Sequence, residues 1–332
     1  LIEADTLHDF SVILCAYTED RWEDLLKAVQ SVRQQTRPPL EVILVVDHNP
    51  ALYERACGQF PDISVLENEE APGLSGSRNT GLRIATGTYV AFLDEDAQAA
   101  PDWLQQLQSG YSDPDVAGVG GFIEPMWDTG RPDWFPEEFY WVVGCSYRGL
   151  PEERAPVRNL IGANMSFRRD LFSATGGFRS GIGRIGRTPV GCEETELCIR
   201  ARQRSPGNFL LYLPDARVMH RVPASRSNWR YFLARCYAEG MSKALVTHFV
   251  GARDGLQSER THTLRVLPQG VWRGLSNGLR RKELGGFLRA FAIIVGLGAT
   301  TAGYLAGSVS QRLARPKHRP PDLRSGVTRT NT

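Results

Sequence analysis

Short, almost wholly apolar runs alternate with helical periodicity along the first hundred residues, and this alternation restricts the fold more than any other feature. Phe10-Ser-Val-Ile-Leu-Cys-Ala16 and Glu41-Val-Ile-Leu-Val-Val-Asp47 carry scarcely a polar residue. Such runs suit strands covered on both faces, as in a parallel sheet. Between them Trp22, Leu25, Leu26, Val29 and Val32 recur at helical spacing as one apolar stripe, and Pro38-Pro39 ends it. A third short strand is expected over residues 63–66. Gly73 opens a helical stretch to about Ala85, closed by Gly87. Tyr89-Val-Ala-Phe-Leu-Asp94 is a fourth strand, and Pro101 opens a helix with Trp103, Leu104 and Leu107 on one face. Strands alternating with helices imply right-handed βαβ units, an α/β chain with a Rossmann-like, mostly parallel sheet flanked by helices.

Ligands of such sheets lie beyond the carboxyl ends of the strands. Those ends are acidic here: Asp47 closes the second strand and Asp94-Glu95-Asp96 the fourth. Side chains alternate along an extended chain, so Asp94 and Asp96 can face one way while Glu95 points away. Two carboxylates sharing a direction repel unless a cation lies between them. Oxygen ligation favours Mg²⁺ or Mn²⁺, and Mg²⁺ held by one or two carboxylates completes its shell with water and substrate phosphates. The pattern therefore suggests a metal–diphosphate site; the alternative is a solvated acidic turn.

The second half is less regular. Residues 116–123 read as a glycine-bearing strand. Residues 124–160 are rich in Pro, Trp and Phe without a period, and read as a long, partly ordered loop region. A strand over 162–168 and a short helix over 169–175 precede Gly176-Gly177. A Gly/Arg-rich stretch, 179–191, is expected to be mobile. A helix starts near Glu193, with Glu196 and Arg200 at i,i+4. Short strands over 209–213 and 216–219 lead to His220, and a long amphipathic helix over 229–246 follows.

With 332 residues the chain can bury one large core, or one domain plus an appendage. The net charge of +2 is unevenly spread: from Arg273 to Arg329 there are eleven Lys/Arg against Glu283 and Asp322. That basic excess fits an anionic lipid surface and gives no reason to expect nucleic acid. Residues 290–307 contain no charge and are borderline in length for a membrane span. Arg280-Arg281-Lys282 before them, and Arg312, Arg315, Lys317 and Arg319 after them, fit a helix lying in or dipping into an anionic leaflet. The alternative is a buried or oligomer-forming helix. The last dozen residues are expected to be disordered. None of the six cysteines forms a C-x-x-C pair, which suggests reduced, cytosolic usage, and no leader segment is expected.

The motifs form an ordered set: Ser11-Val-Ile-Leu-Cys-Ala-Tyr17, Val45-Val46-Asp47, Gly73-Leu-Ser-Gly-Ser-Arg-Asn79, Phe92-Leu-Asp-Glu-Asp96, Gly162-Ala-Asn164, Gly176-Gly-Phe178, Gly191-Cys-Glu-Glu-Thr-Glu-Leu197 and His220. Over roughly residues 9–245 the set resembles the family-2 inverting glycosyltransferases of GT-A fold. The resemblance implies a 1–250 transferase domain, divided into a nucleotide-sugar half (9–123) and an acceptor half (124–250). Residues 251–332 would be a basic, apolar, membrane-associating tail, holding the enzyme peripherally or by its tail at the cytoplasmic face of the membrane.

The resemblance also implies roles. Ala16, Tyr17, Thr18 and Asp47 would hold base and ribose, with Asp47 favouring a UDP-sugar; Thr18 stands where the family often has Asn. Gly73, Arg78 and Asn79 would approach phosphate or ribose, and Asp94, Glu95 and Asn164 belong to the same nucleotide-sugar site. Asp96, with Asp94 and His220, would ligate Mn²⁺ or Mg²⁺. The family's catalytic base matches Glu194, one methylene longer than the usual aspartate, with Glu193 as fallback; acids at a helix start also serve the macrodipole. The aromatic stretch Trp127, Trp134, Phe135, Phe139, Tyr140 and Trp141 would be a sugar or lipid platform, or else a loop packed by its own rings. Arg184, Arg187 and the helix stretch Trp229–Glu239 would bind an acceptor phosphate. Some relatives act on polyprenyl-phosphate-linked sugars, which suggests a lipid-linked or envelope glycan acceptor.

Two further readings compete. A nucleotidyltransferase would share the sheet and the metal, but it would want a glycine- and lysine-rich loop where Tyr17-Thr-Glu-Asp20 is acidic. A non-catalytic glycan- or nucleotide-sugar-binding protein would not need all the metal and base acids. A dinucleotide-binding dehydrogenase is disfavoured by the missing G-x-G-x-x-G after the first strand.

Overall fold

A computed structural model describes residues 9–183, 191–255 and 257–313. Arg184, Arg187, Arg315, Lys317, Arg319 and the polar C-terminus lie outside the described residues. Among the described residues nine strands form one sheet: β1 (Phe10–Ala16), β2 (Glu41–Val46), β3 (Ser64–Glu67), β4 (Tyr89–Asp94), β5 (Ala97–Ala99), β6 (Val116–Trp127), β7 (Ala155–Val157), β8 (Asn164–Arg168) and β9 (Phe209–Val222). Their order is β3-β2-β1-β4-β8-β6-β9-β5, with β7 on β9. The first four strands pair in parallel, as expected. Beyond β4 the sheet turns mixed: β8 is antiparallel to both β4 and β6, β6 and β9 are parallel, and β5 and β7 are antiparallel to β9. The two short strands expected at 209–213 and 216–219 are one bent strand, β9. Its register against β6 shifts between Gly121 and Ile123, where Gly121 lets the Ala216 carbonyl come within 1.7 Å of where a Cβ would stand.

The helices of the first half are α1 (Trp22–Arg33), α2 (Pro50–Gln59), α3 (Leu74–Ile84) and α4 (Trp103–Ser109). Alternate residues of β1 feed two cores. Phe10, Val12, Leu14 and Ala16 pack with α1 and α4, and Ile13 and Cys15 pack with the layer containing Phe92, Phe167 and Phe172. That is why the run is apolar throughout. Each such side chain fully removed from water contributes about 1.5–3 kcal/mol before entropy is counted.

The second half adds α5 (Asp170–Thr175), α6 (Glu193–Arg204) and α7 (Trp229–Val250). After α7 come α8 (Ala252–Gly255), α9 (Gln257–Thr261), a π-helical turn (His262–Val266), α10 (Leu267–Arg281) and α11 (Leu284–Leu313). The expectation of an amphipathic 229–246 helix needs correction: α7 buries a broad face, Phe232, Cys236, Ala238, Gly240 and Ser242 among it, and its exposed stripe of Arg230, Ala234, Tyr237 and Met241 is itself mostly apolar. The reason is α11, which lies along it. Gly303 and Gly240 let the backbones touch: a Cβ at Gly303 would stand 1.9 Å from the Tyr237 carbonyl, and one at Gly240 2.0 Å from that of Thr300. Small residues at such faces permit close helix approach.

The segment 124–160 is mostly loop, as expected, interrupted by a 3-10 helix (Glu137–Val143) and β7, and its aromatic rings are packed. Trp134 stacks on Trp229 at 4.1 Å, and Phe135 and Phe139 meet Phe232 edge-on or tilted at 5.4 Å. These rings pack mainly on one another and on α7; Phe139 and Trp141 also reach the cavity described below.

Candidate functional site

A cavity of about 860 Å³ lies at the carboxyl ends of β1, β2 and β4 and runs on between α6, α7 and α11. Sheet register builds its metal-capable corner. Cys15 pairs with Asp94 across β1 and β4, which sets Asp94 beside the end of β1. The three-residue β5 pairs Ala97 with His220 of β9, and the Arg221 N–H donates to the Asp96 carbonyl at 2.9 Å. His220 Nε2 thereby comes to 3.1 Å from Asp96 Oδ1. Ligand atoms of Asp94, Asp96 and His220 all lie within 4.8 Å of one another. Two carboxylates and an imidazole converging from two chain segments fit a divalent ion that accepts oxygen and nitrogen.

Asp96 is also flanked by Arg21 at 3.2 Å and Arg226 at 3.3 Å, both on Oδ2. Burial acts to raise its pKa, but His220, Arg21 and Arg226 outweigh burial and hold it well below the usual carboxylate range. Burial likewise acts to lower His220, and Asp96 instead raises it to about 10. Glu95 does not simply point away: it receives Arg21 Nη1 at 2.6 Å. Burial, only partly offset by Arg21 and reinforced by Asp96 and Asp94, lifts its carboxyl to about 7. Arg21 and Arg226 were not singled out from the sequence. Neither sits in a motif, and only the bend of β9 and the turn after it carry Arg226 to Asp96.

The second corner is the start of α6. Cys192 caps it in the left-handed region, φ 73°, a conformation that costs a non-glycine residue about 1–3 kcal/mol and often marks a functional turn. Past that turn the neighbouring acids part. Glu193 is buried and accepts from Arg78 Nη1 at 2.8 Å. Glu194 remains partly exposed on the cavity, with the Thr195 hydroxyl at 3.3 Å. Burial, then the adjacent charge of Glu193, pushes Glu194 up to about 8 against the pull of Arg78.

Ala16, Tyr17, Asp47, Arg78, Asp94, Glu95, Asp96, Glu193, Glu194 and His220 all line this cavity; Thr18, Gly73, Asn79 and Asn164 do not. Thr18 caps the following turn by accepting from the Asp20 N–H at 3.2 Å. Gly73, at φ 127°, donates its N–H to Asp47 Oδ2 at 2.9 Å, so Asp47 clamps the loop before α3 as well as facing the cavity. Asn79 is occupied by the Phe178 backbone, accepting from its N–H at 2.8 Å and donating to its carbonyl at 2.9 Å. Asn164 is wholly buried: it accepts from Trp103 Nε1 at 2.8 Å and donates to the Ala216 and Phe122 carbonyls. These two asparagines, expected at the ligand, are spent on holding backbone. Arg78 also departs from expectation. It is 2% exposed, and its fork is turned to Glu193, the Gly162 carbonyl and Asp94, not left open for a phosphate.

The far wall is charged. Arg235, Glu239 and Lys243 succeed one another at i,i+4 on α7, and Glu259 and Arg158 continue the chain of ion pairs. Arg235 and Glu239 fall within the 229–239 stretch expected at an acceptor phosphate; Lys243, Glu259 and Arg158 do not, and the i,i+4 spacing of Lys243 from Glu239 is the sequence signal for it.

The sheet, its helices and the acidic cavity define a GT-A glycosyltransferase fold. The Glycosyl transferase family 2 model matches residues 11–176. A glucosyl-dolichyl phosphate glucuronosyltransferase of Haloferax volcanii is 40% identical over 240 residues, covering 71% of this chain and 76% of that protein. Among solved structures, the mannosyltransferase PcManGT of Pyrobaculum calidifontis, in complex with GDP-Man and Mn²⁺, aligns with a TM-score of 0.56 at 19% identity, covering 93% of this chain and 88% of that one. GalNAc-T7 with UDP, GalNAc and Mn²⁺ aligns at 0.51 and 18% identity, over 78% and 55%. The chain belongs to glycosyl transferase family 2.

Proposed function

We propose that this transferase moves a sugar, with inversion, from a nucleotide-sugar to a sugar carried on a polyprenyl phosphate, at the cytoplasmic face of a membrane. The observation that carries the reading is that the Asp94/Asp96/His220 cluster and Glu194, at the start of α6, open into one cavity. Asp94, Asp96 and His220 would hold Mn²⁺ or Mg²⁺, which when bound supplies charge to a departing diphosphate. Arg21 and Arg226 add positive charge beside that group. Glu194 removes the proton from the acceptor hydroxyl as its oxygen attacks the anomeric carbon from the face opposite the diphosphate. One displacement inverts the centre.

A uronosyl donor and a lipid-phosphate acceptor are supported by the name of the 40%-identical haloarchaeal protein. For the base, UDP is the reading from Asp47, whose carboxylate also serves Gly73 and Asn68. Arg235, Lys243 and Arg158 on the far wall suit an acceptor phosphate. Membrane association is supported by residues Leu284–Gln311, long and apolar enough to cross a membrane. The test is to incubate the protein with UDP- and GDP-sugars and a glycosyl polyprenyl phosphate, with Mn²⁺ or a chelator, and to determine the anomeric configuration of the product. Transfer with retention, or undiminished transfer in chelator, defeats the corresponding part of the proposal.

A further inference from the structure

α10 is bound to the molecule by its glycine face. A Cβ at Gly274 would stand 2.7 Å from the Gly286 carbonyl and one at Gly278 2.6 Å from the Phe287 ring, so α10 and α11 close as a tight hairpin. The opposite face carries large apolar side chains in water. Trp272 is 73% exposed and Leu279 72%, with Leu275 between them and Leu264 on the preceding turn at 74%. Within α10, positions 272, 275 and 279 follow helical spacing and share one narrow stripe. A soluble surface does not ordinarily keep such a run uncovered.

The charge around the stripe says what covers it. From His262 to Lys282 the chain has four arginines, one lysine and no acid; the next acid is Glu283, past the turn. Arg265, Arg280 and Lys282 are exposed. An apolar stripe bordered by cations matches a leaflet of anionic lipid, where rings and leucines enter the acyl boundary and arginines meet head groups. The same hairpin is also cavity wall: Val266 and Leu267, and on α11 Leu297, Thr300 and Tyr304, line the space shared with Glu194. On its other side α11 exposes Phe291, Ile294 and Leu305.

We propose that the Leu264-to-Leu279 stripe is an in-plane docking surface for an anionic bilayer, and that the enzyme takes its acceptor from that surface through the wall formed by α10 and α11. The second half rests on the lipid-linked acceptor reading; the first does not. α10 would lie on the leaflet, which assigns the contact to a helix outside the apolar 290–307 segment.

The test uses the full chain and the double variant Trp272→Glu/Leu279→Glu. Both positions are exposed, and folding is checked by thermal melting and by nucleotide-sugar binding. Co-sedimentation with phosphatidylglycerol-rich vesicles should fall roughly tenfold or more, and wild-type binding should weaken on pure phosphatidylcholine. Turnover of a vesicle-embedded acceptor should fall with it, while turnover of a short-chain, water-soluble acceptor is unchanged. Unaltered vesicle binding by a folded double variant overturns the docking surface. So does a wild-type dimer that the variant dissolves without changing vesicle binding, since the stripe is then an interface between copies. Lost vesicle binding with unchanged vesicle turnover overturns the acceptor route alone. If vesicle binding is lost but no nucleotide-sugar is ever turned over, the transferase reading fails and the docking surface stands.

Discussion

Arg78 Nη1 lies 2.8 Å from Glu193 Oε1, on the cavity lining between the metal-capable corner and the start of α6. The same guanidinium is 3.5 Å from Asp94. One buried cation thus ties an acid of each corner to α3, and it treats two consecutive glutamates differently. Glu193 has the close countercharge. Glu194, next along the helix, feels burial and its neighbour's charge and rises to about 8. Glu193 is tied to Arg78 while Glu194 faces the cavity, which would leave Glu194 for the proton transfer proposed above.

Glu194→Gln should therefore leave nucleotide-sugar binding intact and lower turnover by about 10²–10⁴-fold. Glu193→Gln should act differently. It deprives buried Arg78 of its main partner and should lower stability by on the order of 3 kcal/mol, seen as a drop in melting temperature. A stable but inactive Glu193→Gln beside an active Glu194→Gln would make Glu193 the base.

The pH profile carries a sign. A base must be ionised to work, and a carboxyl at about 8 is mostly protonated at neutrality. Turnover at saturating substrates should climb with pH, pass its half-maximum near 8 and level off only above that, and the residual rate of Glu194→Gln should be flat there. The raised pKa also means stability present below the ordinary carboxylate range and lost as pH rises through 8. Melting of Glu194→Gln should fall less than wild type between pH 5 and 9.

Asp96→Ala removes the one group shared by His220, Arg21 and Arg226. Calorimetric titration should lose the Mn²⁺-dependent part of nucleotide-sugar binding. Mn²⁺-dependent affinity equal to wild type would remove Asp96 from the metal site.

Asn164→Ala should cost about 1–3 kcal/mol, because the Trp103 ring N–H loses its acceptor and the Ala216 and Phe122 carbonyls lose a donor in the core. Nucleotide-sugar affinity of the folded fraction should not change. A selective loss of affinity at unchanged melting temperature would return Asn164 to the ligand site.

Removing everything after Arg280 keeps the Leu264-to-Leu279 stripe but strips α11 from the fold. Ala290, Ala292 and Ile293 are buried in α11, which covers one side of α7. The truncated chain should melt lower and bind apolar dyes. An unchanged melting curve would show α11 to be an appendage.

The parallel half of the sheet was legible because β1, β2 and β4 are buried on both faces, and an unbroken apolar run has few other uses. The acids at the strand ends were legible for a related reason: carboxylates directly after such runs have to emerge at one edge. Helix α6 and its glutamates were likewise marked by local pattern and by family resemblance. The amphipathic reading of the 229–246 segment failed because α11, a helix some sixty residues further on, widens the buried face of α7, and Arg235, Glu239 and Lys243 turn to the cavity instead of to water. Asn79 and Asn164 look like ligand-site residues in a motif; only the backbone groups packed around them show that their hydrogen bonds are already taken.

By itself the sequence determined the strands of the parallel half and the place of their acidic ends, since these follow from periodicity and side-chain type; the short β5 and β7 and the continuity of β9 left no such mark. The tertiary structure decided which charges meet. Pairing β5 with β9 brings His220 to Asp96, the turn after β9 adds Arg226, and α3 aims Arg78 at Glu193. Side-chain pKa values depend on partners a few ångströms away, and those partners come from chain segments too far apart in sequence for any local pattern to join.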